Sequence, residues 1–196
     1  MRGLKELPLV IRSLQPASAA LRYTEPVPVA ALQPGALRGG AGPLVLRPVD
    51  AVLQFEASGQ WPDDVHAIRA LKAAFYLRMS KAIAAELKVG GCQASASGLD
   101  VLEGGFVFRF HIFHERELTL LQAEPSLAHD AHQLQKRCVA GPLHHMALAG
   151  LHGTHPVFAP TARLLQRWLH SHLLSPHIST QAAELLAAAV FTDLGA

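Results

Sequence analysis

The sequence predicts an α+β fold in which strands and one long helix come first and an all-α segment follows. Three stretches carry the prediction: a strand-turn-helix pattern at Asp50–Leu87, an aromatic alternation at Phe106–Phe113, and a change to helical spacing from Ser126 onward. In the first, Val52, Leu53 and Phe55 are apolar while Asp50, Gln54 and Glu56 are polar, as in a partly covered strand. The turn Ala57–Gly59 follows it. Trp61-Pro62-Asp63-Asp64 then places a proline and two acids where a helix start favours them. Val65, Ile68, Leu71, Phe75, Met79 and Ala82 recur at three- and four-residue spacing, so this is a long amphipathic helix.

The other elements are read in chain order. Leu7–Leu14 is a short β-branched run that Pro16 ends, and Ala19–Thr24 is a candidate second strand closed by Pro26 and Pro28. Five prolines and four glycines between Pro26 and Pro48 predict a long loop with a short edge strand at Leu44–Leu46. Val89-Gly90-Gly91 stops the long helix. Cys92–Leu120 reads as two strands joined at Gly104-Gly105, the second placing Phe106, Phe108, Phe110 and Ile112 on one face. Beyond Ser126, Leu127, Ala131, Leu134 and Cys138 share a helical face. Gly141-Pro142 is expected to break that run before Leu143–Leu151 resumes it. A helix through Ala159–Leu173 takes Pro160 in its first turn, and Ser179/Thr180 caps a last one containing Glu184. The change of period sets an expected domain boundary near 140, dividing 1–140 from 141–196.

Half of the 196 residues are apolar and 16% are charged, which is a globular composition. A formal charge of +2 does not by itself mark a nucleic-acid binder. Cys92 and Cys138 have no CxxC partner and suit a reducing compartment as buried thiols. Lys5, Glu6 and Pro8 interrupt any amino-terminal apolar run, and Ala182–Phe191 is about half a membrane span, so a soluble intracellular protein is expected.

The string QFEASGQWPDDVHAIRALKAAF (54–75) resembles the nucleolar RNA-associated protein (Nrap) family of the small-subunit processome. The strands LDVLEGGFVFRFHIFHERE (99–117) fit the same family. HPVFAPTARLLQRWLHSHLLSPHISTQAAELLAAAVF (155–191) is similar to its poly(A)-polymerase/oligoadenylate-synthetase-like helical domain. The resemblance implies a nucleotidyltransferase-like mixed sheet for 1–140, the opening helices of the next domain for 141–196, and a fragment of a longer protein. It further implies a nucleolar location with pre-ribosomal RNA and other processome proteins as partners. No membrane, small-molecule substrate or cofactor is expected.

Active nucleotidyltransferases of that fold follow a Gly-Ser turn with two carboxylates two residues apart and a third from a neighbouring strand, which together hold two metal ions. The corresponding stretch here, LPLVIRSLQPASAALRYTEPVP, has neither Gly-Ser nor Asp-x-Asp, and Glu25 is its only acid. Asp50 and Glu56 could supply at most the third position. No catalytic residue and no metal ligand is therefore expected, and the resemblance implies an architectural, RNA-holding role. The rival is an active template-independent nucleotidyltransferase on RNA whose acids come from elsewhere.

His144, His145, His152 and His155 come closest to zinc spacing, but no Cys or carboxylate cluster accompanies them. Arg163, Arg167 and His170 share a helix face and are the candidate RNA-phosphate contacts, against the plainer reading of a solvated face. Arg69, Lys72 and Lys81 invite the same two readings. Trp61 and Trp168 are expected as core or interface anchors, and Gly39–Gly42 as loop punctuation.

Overall fold

The computed structural model describes residues 10–32, 46–56, 59, 61–86, 89 and 91–193. The expected edge strand at Leu44–Leu46, the glycines at 39–42, Gly90 and the first residues of the Leu7–Leu14 run lie wholly or largely outside the described residues. The described chain forms two compact units: residues 30–142 with the chain up to Ala17, and Leu143–Ala196 with Ser18–Val29.

The first unit is α+β, as the sequence predicts. Its strands are β1 (Ile11–Pro16), β2 (Val49–Phe55), β3 (Gly91–Ala94), β4 (Leu99–Glu103) and β5 (Phe106–Phe113). They form one mixed sheet in the order β1-β2-β5-β4-β3, with only β2 and β5 parallel. Between those two strands the chain runs through α1 (Val65–Glu86) and the β3–β4 hairpin. The Asp64 carboxylate accepts the Ala67 N–H at 2.8 Å, capping α1 where the sequence places its acids.

The register sends Leu53 and Ile112 to one face of the sheet and Val52 and Phe113 to the other. On the first face Leu53, Phe55, Leu99, Phe110 and Ile112 pack against Phe75, Tyr76, Met79 and Ile83 of α1. On the second, Val52 and Phe113 meet Cys138. Each large side chain so buried contributes about 1.5–3 kcal/mol. The strand β2 is covered on both sides, which explains its imperfect alternation.

Three expectations are corrected. Ala19–Thr24 is no strand: Ala19–Arg22 make one tight 3-10 turn, and Tyr23 leaves it with a left-handed φ of 64°. Cys92–Leu120 holds three strands or parts of strands, because Gly91–Ala94 pairs with β4, and it ends in α2 (Glu115–Ala123). Gly91–Ala94 does alternate, with Cys92 and Ala94 toward the core, but four residues are too short a pattern to read as a strand. Gly141-Pro142 does not break the helical run. The chain passes from α3 (Ala128–Gln135) through a wide π turn at Lys136–Ala140 into α4 (Gly141–Thr154). The widened turn carries the chain past Pro142, whose ring would otherwise press on the preceding turn.

The second unit packs α5 (Phe158–Ser171) and α6 (Thr180–Asp193) with α4 from Leu143 onward. Phe158, Ala162, Ala187, Ala188, Phe191 and Leu148 form its core, with the Phe158 and Phe191 rings edge to face at 5.8 Å. Pro160 lies in the first turn of α5, and the Ser179 hydroxyl caps α6 through the Ala182 N–H. Outward faces remain apolar at Leu164, Leu185 and Leu186, and Trp168 is half exposed against the His172 ring.

Candidate functional site

The acid position singled out on β2 is held by its own sheet. Asp50 sits beside Arg109 in the β2–β5 register, and its carboxylate is 2.9 Å from Nε2 of His111. Arg109 in turn grips Asp100 on β4 with two hydrogen bonds of 2.7 Å. The Asp100 bonds chiefly, with a lesser contribution from the Asp50 charge, raise the arginine pKa. Asp50 and Asp100 thus flank a guanidinium. Glu56 lies six residues beyond Asp50, which at the rise of a strand is about 20 Å, so the two acids cannot share a pair of ions. Among the described residues no three His, Cys, Asp or Glu side chains converge in a way that could hold a metal. Cys138 is buried, which pushes its thiol up to about 11, and Cys92 is half-buried.

Arg163, Arg167 and His170 do share α5, where Arg163 and Arg167 face the strap Ser18–Val29 of the same unit. One Arg163 N–H donates to the Tyr23 carbonyl and Arg167 Nε donates to the Pro26 carbonyl at 2.9 Å. His170 Nδ1 bonds the Gln166 carbonyl at 2.7 Å, and Gln166 donates to the Thr24 carbonyl at 3.0 Å. Beyond its 3-10 turn the strap lies in no helix or strand and has no ladder partners, so side chains from α5 satisfy its carbonyls.

The strap is anchored by a group that periodicity alone does not expose. Glu184 of α6 is fully buried and takes Arg22 Nη2 at 2.7 Å and Nε at 3.1 Å, His144 Nε2 at 2.6 Å, and the Thr24 hydroxyl. Burial pushes the Glu184 pKa up, but the bonds from His144, Arg22 and Thr24 outweigh it and leave the carboxyl below its usual value. The zinc-like histidines are thereby separated in role. His144 serves Glu184, His145 is buried with its pKa lowered first by that burial, and His152 lies against the Tyr23 ring. One sequence signal pointed to Glu184: a lone charge in the apolar run Ala182–Phe191.

In the sheet unit a cleft of about 550 Å³ opens between α1, β5, α2 and α3. Lys72 of α1 and Glu117 of α2 form an ion pair in its wall, both almost completely buried. Arg69 reaches Asp130 at 2.7 Å and Glu117 at 3.4 Å. The Tyr76 hydroxyl, which accepts the Ile112 N–H at 2.7 Å, lines the same space with Cys138 and Arg137. The sequence flagged Arg69 and Lys72 as basic residues on a helix. It gave no sign of Glu117 or Arg137, which come from elements more than forty positions away.

Comparison with known proteins places these features in a family. The model for Nrap protein nucleotidyltransferase domain 4 matches residues 1–153, and that for Nrap protein PAP/OAS1-like domain 5 matches 155–195. Nucleolar protein 6 of Homo sapiens is 33% identical over 218 residues, covering 96% of this chain and 18% of that protein. Nucleolar protein 6 of Xenopus laevis is 33% identical over 211 residues with the same two coverages. That of Drosophila melanogaster is 34% identical over 207 residues, covering 97% of this chain and 16% of the relative. The chain thus spans less than a fifth of the relatives it matches. It belongs to the Nrap family, through that family's domains 4 and 5, and shares the nucleolar location its relatives are named for.

Proposed function

We propose that the chain is a non-catalytic module acting in ribosome biogenesis, holding pre-ribosomal RNA and other proteins of the small-subunit processome. The observation that carries the non-catalytic reading is the environment of Asp50: His111 binds its carboxylate, and Arg109 stands between it and Asp100. A carboxylate that serves a two-metal transfer must be open to cations other than its own neighbours. The role in ribosome maturation is supported by the family match and by the name of the relatives.

RNA contact is assigned to the α5 face bearing Arg163, Arg167 and His170. Each arginine gives a carbonyl of the strap one hydrogen bond and has further N–H donors for phosphate.

Two measurements test the reading. With magnesium or manganese, the chain is expected to incorporate no labelled nucleotide into RNA; incorporation that Asp50→Asn or Glu56→Gln abolished would establish the enzyme reading instead. In RNA binding, the double change Arg163→Gln/Arg167→Gln keeps a donor for each strap carbonyl and removes both charges. It should weaken binding and flatten the salt dependence by roughly 0.7 per lost single-strand phosphate contact. An unaltered affinity and slope would remove this face from the interface.

A further inference from the structure

The cleft in the sheet unit is not used by the reading above. Its volume, about 550 Å³, lies in the range of small-ligand sites. Ala70, Ala73, Ile112, Leu121 and Leu134 give it apolar walls. Its polar groups are unevenly matched. Glu117 and Asp130 are the acids in the lining, and they are taken up by Lys72 and Arg69. Arg137 also lines the cleft and forms no ion pair among the described residues. The three cations Arg69, Lys72 and Arg137 therefore face two carboxylates.

Donors exceed acceptors as well. An ammonium carries three N–H groups, a guanidinium five, and the Tyr76 hydroxyl, already accepting from Ile112, has a proton to give. Arg137 and Cys138 lie in the π turn Lys136–Ala140 that carries the chain past Pro142, and both line the cleft. A buried ion pair such as Lys72–Glu117 adds little net stability over apolar packing, and here it sets an ammonium in the cavity wall.

From these we infer that the cleft binds a small organic anion, its apolar body against the alanine and leucine walls and its carboxylate or phosphate on Arg137 and Lys72. The inference does not rest on the RNA reading.

The test uses the whole chain and defined probes: phenyl phosphate and benzoate as anions with an apolar body, benzylamine as the cation of like shape. Calorimetry is expected to show saturable 1:1 binding of phenyl phosphate or benzoate at millimolar or lower concentration, with benzylamine at least tenfold weaker. Arg137→Gln, an exposed position, should weaken anion binding about tenfold while leaving thermal unfolding unchanged. Lys72→Met/Glu117→Leu, which replaces the pair by apolar side chains of similar size, should abolish it. A 5′-phosphorylated oligonucleotide that displaces phenyl phosphate, where its 5′-hydroxyl counterpart does not, would identify an RNA end as the natural source; failure of both to displace it would point to a free metabolite. The inference is overturned if neither anion binds saturably, if benzylamine binds as well as the anions, or if Arg137→Gln leaves the affinity unchanged.

Discussion

Glu184 shows how a single buried carboxylate organises a unit. It is flanked by alanines and leucines, yet three side chains from two other segments converge on it. Glu184→Ala would take from the buried Arg22 guanidinium, with 3% of its side chain exposed, the carboxylate that accepts two of its hydrogen bonds. The expected loss is about 3–5 kcal/mol, read from denaturant unfolding. A loss under about 1 kcal/mol would mean that the network contributes little. The same group sets an acid limit. Its folded pKa is lowered, so its contribution is complete above the unfolded carboxyl value near 4.5 and disappears as pH falls through the folded value. His145 and His114, both lowered first by burial, act earlier: below their ordinary 6.5 the unfolded chain takes up protons before the folded one does. Stability should therefore decline in two stages, one beginning near pH 6.5 and the other below 4.5, in melts followed across pH.

At the scale of elements, the β4–β5 hairpin turns on two glycines with φ of 56° and 84°. Positive φ at both central positions is what a two-residue hairpin favours, and the sequence announces it as Gly104-Gly105. The two positions are not equivalent. A Cβ on Gly104 would meet nothing within 4 Å, whereas one on Gly105 would lie 2.9 Å from the Leu32 carbonyl oxygen. Gly105→Ala should cost about 1–3 kcal/mol and Gly104→Ala about 1, with Gly104→Asn nearly neutral. Equal melting temperatures for the two alanine variants would contradict the close approach of Leu32. The elements most legible in the sequence were those with period and caps together: α1 behind Asp64, α6 behind Ser179, and β5 with its alternating aromatics. Gly91–Ala94 and Ala19–Arg22 were not legible, because a four-residue pattern is too short to tell a strand or a tight turn from a loop.

For the whole molecule, the telling feature is the route of the chain. Ser18–Val29 leaves the sheet unit after β1 and belongs to the helical unit, and β2 begins again in the sheet unit. The helical unit is therefore assembled from segments more than a hundred residues apart. A fragment beginning at Leu143 should lack a cooperative melt by circular dichroism. A peptide covering 18–29 added in trans should restore it, and the same peptide with Arg22→Ala should not. Cooperative melting of the fragment alone would show the strap to be dispensable.

Composition, period and turn chemistry determined the α+β class, the long helix and the aromatic strand, because each of these is a local pattern of a few consecutive turns or residues. The tertiary structure alone decided that Asp50 faces His111 and Arg109, that Arg163 and Arg167 hold a strap, and that Lys72, Glu117 and Arg137 meet around a cleft. These join segments up to 141 positions apart, and charge or burial at such distances is set by which surfaces pack together, a quantity no window of sequence contains.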